Sequence, residues 1–246
     1  MNYETRIGRA GGEVRESSFH WDVVNVRAMG QYLTRVEGRF IQQSLAARPR
    51  PQLVLDIGGG SGRFAVPLYE AGHCPLVLDV DPTPLRILTR NAPGVGRALV
   101  SGRNDEWPVA DDSIDCVLCV EVPALDDPTS FLAACRRVLR TGGLVIFTTH
   151  NRRSYKGLLK LVTSRRKERR YYGETYLHTT SQIRAQLGAS GFSLLRERGF
   201  NWIPFTCDAD TWLVWAAAHM ERALGLEGLV EWSPWVLVAA QKSAVV

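Results

Sequence analysis

The chain has 246 residues, 45% of them hydrophobic, with 30 Lys or Arg against 25 Asp or Glu and five cysteines. This length suits one large α/β domain, and the apolar fraction excludes a mainly disordered chain. The odd cysteine count speaks against a disulfide framework.

Residues 1–17 are polar and Gly-rich, with no apolar region of the kind a secretory signal needs. They are expected to be flexible. Over residues 18–47 Val26, Met29, Leu33, Val36, Phe40 and Leu45 recur at helical spacing, so one long helix is expected. The "RPRP" of residues 48–51 ends it.

A regular alternation follows. "QLVLDI" reads as a first strand, residues 63–72 as a helix ended by Gly72, "PLVLDV" as a second strand and "TPLRILTRN" as a helix. "RALV" is a weaker third strand and "SIDCVLCVEV" a fourth. "DDPTSFLAACRRVLRTGG" reads as a helix capped by Asp127, with Pro128 in its first turn and Gly142 just past its end. "LVIFTTH" is the fifth strand. Strands apolar on both faces, alternating with helices, predict a parallel sheet covered on both sides. Cys116 and Cys119 fall inside the fourth strand, where residues three apart face opposite ways, so they are expected in the core.

Beyond His150 the pattern loosens. Residues 152–170 hold nine Lys or Arg and one acid, Glu168, so the basicity of the chain is local. Leu158, Leu159, Leu161 and Val162 suggest an amphipathic helix there. Its basic face fits a solvated surface, an anionic or lipid-like contact at a membrane periphery, or nucleic acid. Helices are expected over residues 180–189 and within "DADTWLVWAAAHMERALGL", and strands at "FSLLRERGF" and "PWVLVAAQK". Trp202, Phe205, Trp212 and Trp215 read as packing for this C-terminal part. The longest apolar stretches, about seven residues, are too short to span a membrane, and a cytoplasmic location is expected.

The chemistry concentrates in "LDIGGGSGRF", residues 55–64, where four of five consecutive positions are glycine directly after the first strand. In a parallel sheet that is where ligands bind, and glycines let a ligand approach the backbone. The order Gly58-x-Gly60-x-Gly62 is neither the GxGxxG dinucleotide fingerprint nor a P-loop, which needs GK[ST].

Asp56 and Gly58 to Gly62 resemble motif I of the class I S-adenosylmethionine-dependent methyltransferases. "VLDVDPTPL", "WPVADDSIDCVLCVEV" and "FLAACRRVLRTGGLVIF" are similar to that family's later motifs, in the same order. The resemblance covers residues 52–150. It implies a seven-stranded doubly wound Rossmann-like sheet in order 3-2-1-4-5-7-6, with the last strand antiparallel. It divides residues 18–246 into a helical N-terminal lid (18–50), a cofactor-binding core (51–150) and a substrate-side cap with the last two strands (151–246). The implied cofactor is S-adenosyl-L-methionine, leaving as S-adenosyl-L-homocysteine. The implied contacts are Asp56, Gly58, Gly59, Gly60, Gly62, Asp79, Val80, Asp105, Glu106 and Glu121. Asp79, at the end of the second strand, is the carboxylate that accepts from ribose hydroxyls. Where relatives place an acid toward adenine this chain has Arg103, so Asp105, Trp107 or backbone groups take that role.

The implied reaction is an in-line transfer of a methyl group to a small-molecule oxygen or nitrogen, driven by positioning. His150, Glu121 and His20 are the candidates for orienting or deprotonating an acceptor. No His, Cys or carboxylate cluster has metal-ligand spacing, so no metal is expected. Two alternatives stay open: a nucleic-acid methyltransferase, against which "EVPA" (121–124) stands where a [DN]PP[YF] segment is expected, and a cofactor-binding protein without turnover.

Overall fold

The computed structural model describes residues 20–49, 51–102, 104–122, 126–163 and 177–244, without the side chains of His20, Trp21 and Asp105. The expected flexible N-terminus, Arg103, Ala124 and basic residues 164–170 lie outside them.

The first helical region is two helices, α1 (His20–Asn25) and α2 (Ala28–Leu45). The single helix expected there is interrupted by distant contacts. Arg27 is extended (φ −80°, ψ 159°), and no side chain of its own caps α2. Instead the amide of Ala28 donates to Asp210 Oδ1 at 3.0 Å and that of Met29 to the Ala209 carbonyl at 3.0 Å. These are orphan donors of a helix N-terminus, satisfied from the far end of the chain.

The sheet runs through β1 (Leu53–Ile57), β2 (Cys74–Asp79), β3 (Gly96–Leu99), β4 (Ile114–Cys119), β5 (Leu139–Asn151), β6 (Leu177–His178), β7 (Phe192–Phe200) and β8 (Trp235–Lys242). Its order is β3-β2-β1-β4-β5-β8-β7. With the two-residue β6 set aside as a side branch of β5, this is the expected seven-strand order. β1 to β5 are parallel neighbours, whereas β8 is antiparallel to both β5 and β7. The strand order reverses between β1 and β4, which opens a crevice at their carboxyl ends.

The connecting helices are α3 (Ala65–Glu70), α4 (Pro82–Asn91), α5 (Pro128–Val138), α6 (Tyr155–Thr163), α7 (Thr180–Ala189) and α8 (Leu213–Ala223). Local chemistry explains several ends. Asp81 and Asp127 cap α4 and α5, accepting from Thr83 N (2.8 Å) and Ser130 N (3.1 Å). A reciprocal Thr179–Gln182 capping box starts α7. Pro67 falls in the first turn of α3, where its missing N–H costs nothing. One boundary differs from expectation: α5 ends at Val138, four residues before Gly142. Leu139 is already paired with Ile114 of β4, so sheet pairing takes the chain before the helix can use its glycine stop.

The two faces of the sheet carry separate cores. Phe131, Leu132 and Cys135 of α5, with Ile183 and Leu187 of α7, cover one face. Met29, Leu33, Phe40 and Ile41 of α2, with Val214 of α8, cover the other. Cys119 lies in the first cluster and Cys116 in the second, so strand alternation does send them to opposite faces. Each fully buried Phe or Leu in these layers contributes roughly 1.5–3 kcal/mol. Trp212, expected to pack, is instead 73% exposed.

Candidate functional site: the glycine loop and its carboxylates

The loop after β1 occupies the crevice at the strand-order reversal. Gly58, Gly60 and Gly62 all have positive φ (66°, 56° and 93°), a conformation costly for any residue with a Cβ. This answers why so many glycines stand together. The loop is anchored by Gly58 N donating to the Leu78 carbonyl (2.7 Å) and Gly60 N donating to Asp79 Oδ2 (2.9 Å). Asp79 Oδ1 accepts from Asp81 N at 2.9 Å. Two backbone amides thus aim the Asp79 carboxylate at the end of β2, and each of its oxygens retains a free lone pair.

Beside the loop is a solvent-open cleft of about 60 Å³, bounded by Asn25 of α1, the glycines, Arg63 and residues 120–122 after β4. α1 is tied to the loop by a hydrogen bond from Ser61 Oγ to Asp22 Oδ1. His20 opens α1. Val80, 58% exposed, follows Asp79. Asp105 and Glu106 lie in a short 3-10 turn (Asn104–Glu106), where Glu106 accepts from Ser101 Oγ. Trp107 is not available to a ligand: it is 5% exposed and packs edge-on to Phe131, ring centres 6.1 Å apart.

Beneath the loop lies a charge cluster that sequence reasoning missed. Arg63 Nη2 is 2.8 Å from Glu121 Oε2 and 3.3 Å from Glu37 Oε2. Glu37 is fully buried, and burial, then the neighbouring Glu121, push its carboxyl well above the ordinary range while Arg63 opposes them. A signal existed, because Glu37 stands between Leu33 and Phe40 on the apolar stripe of α2, where a charge has no place unless it is partnered. Glu121 itself has φ +59°, unusual for a residue with a side chain.

Asp56 is 2% exposed under Gly59. Burial raises its carboxyl to about 7, Arg63 lowers it, and Asp79 raises it. Asp56 Oδ2, Glu121 Oε1 and Asn25 Oδ1 are all buried acceptors without a hydrogen-bond partner. Asn25 Oδ1 and Glu121 Oε1 belong to residues that line the cleft, and they are acceptors a ligand's N–H or O–H donors can satisfy.

His150 is placed differently. It sits on β5 opposite Trp235 of β8, and the ring centres are 4.7 Å apart, edge-on. It is 9% exposed, and burial first, then Lys160 and His178, push its imidazole down to about 3. Such a ring is neutral at physiological pH and a weak base.

Comparison with known proteins agrees with this geometry. Residues 55–147 match the family model described as a methyltransferase domain. The chain is 31% identical over 156 residues to the malonyl-[acyl-carrier protein] O-methyltransferase of Methylococcus capsulatus, covering 60% of this chain and 54% of that protein. It is 32% identical over 114 residues to the ubiquinone biosynthesis O-methyltransferase of Thiobacillus denitrificans, covering 44% and 49%. The chain thus spans about half the length of these curated relatives. Among solved structures, a SAM-dependent methyltransferase of Thermotoga maritima superposes with a TM-score of 0.56 at 18% identity, covering 91% of this chain and 99% of that one.

Proposed function

We propose that the chain, whose residues 55–147 match a methyltransferase domain, transfers a methyl group from S-adenosylmethionine to an oxygen or nitrogen of a small-molecule acceptor. The observation that carries this reading is the positive-φ glycine loop at the strand-order reversal, with Asp79 aimed by two backbone amides. The residues present fit the cofactor. Asp79 offers its free lone pairs to a ribose, and Asn25 Oδ1 and Glu121 Oε1 offer unused acceptors to an amino group. When bound, the cofactor supplies an activated sulfonium methyl.

What this chain supplies is position and exclusion of water. Arg63 fixes Glu121 at the cleft wall, and α1, held by Ser61, covers the loop as part of a lid. His150 acts as a packing partner of Trp235 rather than as a general base. Leu158, Leu159 and Val162 of α6 are 54%, 57% and 74% exposed, and this supports an apolar or lipid-like body for the acceptor. Among the described residues, no helix is long and apolar enough to cross a membrane. Residues 18–50 serve as lid, 51–150 as cofactor core and 151–246 as acceptor-side cap.

The test is calorimetric titration of S-adenosylhomocysteine into the wild type and Asp79→Ala. Binding that weakens at least about tenfold in the variant supports the reading, since a charged acceptor to two hydroxyls is lost. No binding to the wild type overturns it. Labelled methyl donor with fractionated small molecules and bulk RNA then separates the acceptor classes.

A further inference from the structure

The outward face of α8 is apolar. A surface helix normally turns polar residues to water and apolar ones to the core. α8 buries Val214 and Glu221, and the Glu221 carboxylate accepts from the Tyr32 hydroxyl and from Trp202 N. On the other side Trp212, Leu213, Ala216, Met220, Ala223 and Leu224 are all exposed, with Trp212, Met220 and Leu224 at 60% or more. Trp212 and Leu224 flank the helix with helical backbone angles, so all six follow its period. At 3.6 residues per turn they fall within about 120° of one another. They form one stripe rather than scattered positions, and no charged side chain lies in it.

Within the stripe Leu213, Ala216, Met220 and Ala223 follow at spacings of three, four and three, the seam along which two helices pack. The seam is complementary to itself when a second α8 runs antiparallel. Leu213 then stands opposite Ala223, and Ala216 opposite Met220, so a large side chain meets a small one at every level. Trp212 meets Leu224 at either end. The ends also carry opposite charge. Asp210 stands before the first turn and Arg222 in the last, and Arg222 makes no ion pair among the described residues. Antiparallel packing brings these unlike ends together, and the helix dipoles with them.

We propose that α8 is a homodimer interface, with the stripe of one copy packed antiparallel on the same stripe of another. A two-fold contact of this kind uses one patch twice, so it closes at two copies. A specific interface buries at least about 1,000 Å² in total, and a Trp on each side carries roughly 150–250 Å² of it. Two stripes of six residues reach the lower end of that range, so a dimer in exchange with the monomer is expected. The stripe has no cation, which an anionic membrane surface or a nucleic acid requires. The inference is independent of the methyl-transfer reading, and its test needs no cofactor.

The experiment is sedimentation velocity on the full chain, from low to high micromolar concentration. Expected is a mass rising from 27.4 kDa toward twice that value. Met220→Glu and Ala216→Glu, both at exposed positions, leave folding intact and weaken the dimer at least about tenfold by placing a charge in the seam. Leu213→Glu and Ala223→Lys each weaken it as well. Combined, they recover part of the loss, since antiparallel packing sets the two altered positions opposite each other with unlike charge. A wild type that stays monomeric at every concentration overturns the interface, as does a dimer that persists in folded Met220→Glu. Failure of the double variant to recover overturns the antiparallel register. Monomers that instead float with neutral lipid vesicles, and no longer do so in Met220→Glu, overturn the second copy in favour of a lipid surface.

Discussion

Arg63→Gln is the sharpest perturbation of the loop's foundation. The side chain is 17% exposed and stands between Glu121, 8% exposed, and Glu37, fully buried. Removing it leaves two carboxylates facing each other with no counter-charge. Breaking a buried pair from one side costs about 3–5 kcal/mol. For a chain of this length each kcal/mol moves the melting temperature by about 2–4 °C, so a fall of roughly 6–20 °C is expected. The sign with pH follows from Glu37, whose folded pKa is already raised above its unfolded value. The folded protein therefore holds a proton that the unfolded chain releases, and stability declines as pH rises from the ordinary carboxylate range through the folded pKa. Without Arg63 that folded pKa climbs further, so the deficit is greatest at alkaline pH and shrinks toward pH 5. Thermal unfolding of both proteins from pH 5 to 8.5 measures it. Adding Glu37→Gln restores part of the loss. A deficit constant across that range, or none at all, refutes the reasoning.

Three further outcomes are expected. Asp56, raised from 3.8 to about 7 by burial, keeps its proton in the folded state while the unfolded chain loses it above about 4. Its contribution therefore turns unfavourable as pH rises from about 4 to 7, and Asp56→Asn flattens that part of the stability–pH curve by up to about 4 kcal/mol, read by denaturant melts at several pH values. Asp210→Ala removes the acceptor for Ala28 N and costs about 1 kcal/mol, with faster amide exchange confined to the first turn of α2. The His150 ring resonances, with a pKa near 3, stay flat from pH 8 to 5 in an NMR titration, and an inflection near 6.5 contradicts the packing role.

The elements legible in advance are those whose signals are local. Asp127 caps its helix through a side chain three residues from the amide it serves, as expected from its place before Pro128. The β4 alternation separates Cys116 from Cys119 without any knowledge of what packs on either face. The errors share one cause. The break between α1 and α2 is enforced by Asp210, 182 residues away along the chain. The early end of α5 is enforced by pairing of Leu139 with Ile114. Trp107 resembled a cofactor contact by position, yet its ring is claimed by Phe131.

The amino-acid sequence by itself determined the alternating α/β plan and the glycine loop, because strand and helix periodicity, capping and positive φ are properties of neighbouring residues. It also determined which carboxylates stand at strand ends. The tertiary structure alone decided what those charges meet. Arg63 between Glu37 and Glu121 is a juxtaposition of segments far apart in the chain. Electrostatic interaction depends on distance and burial, and neither exists until the sheet order has folded those segments together.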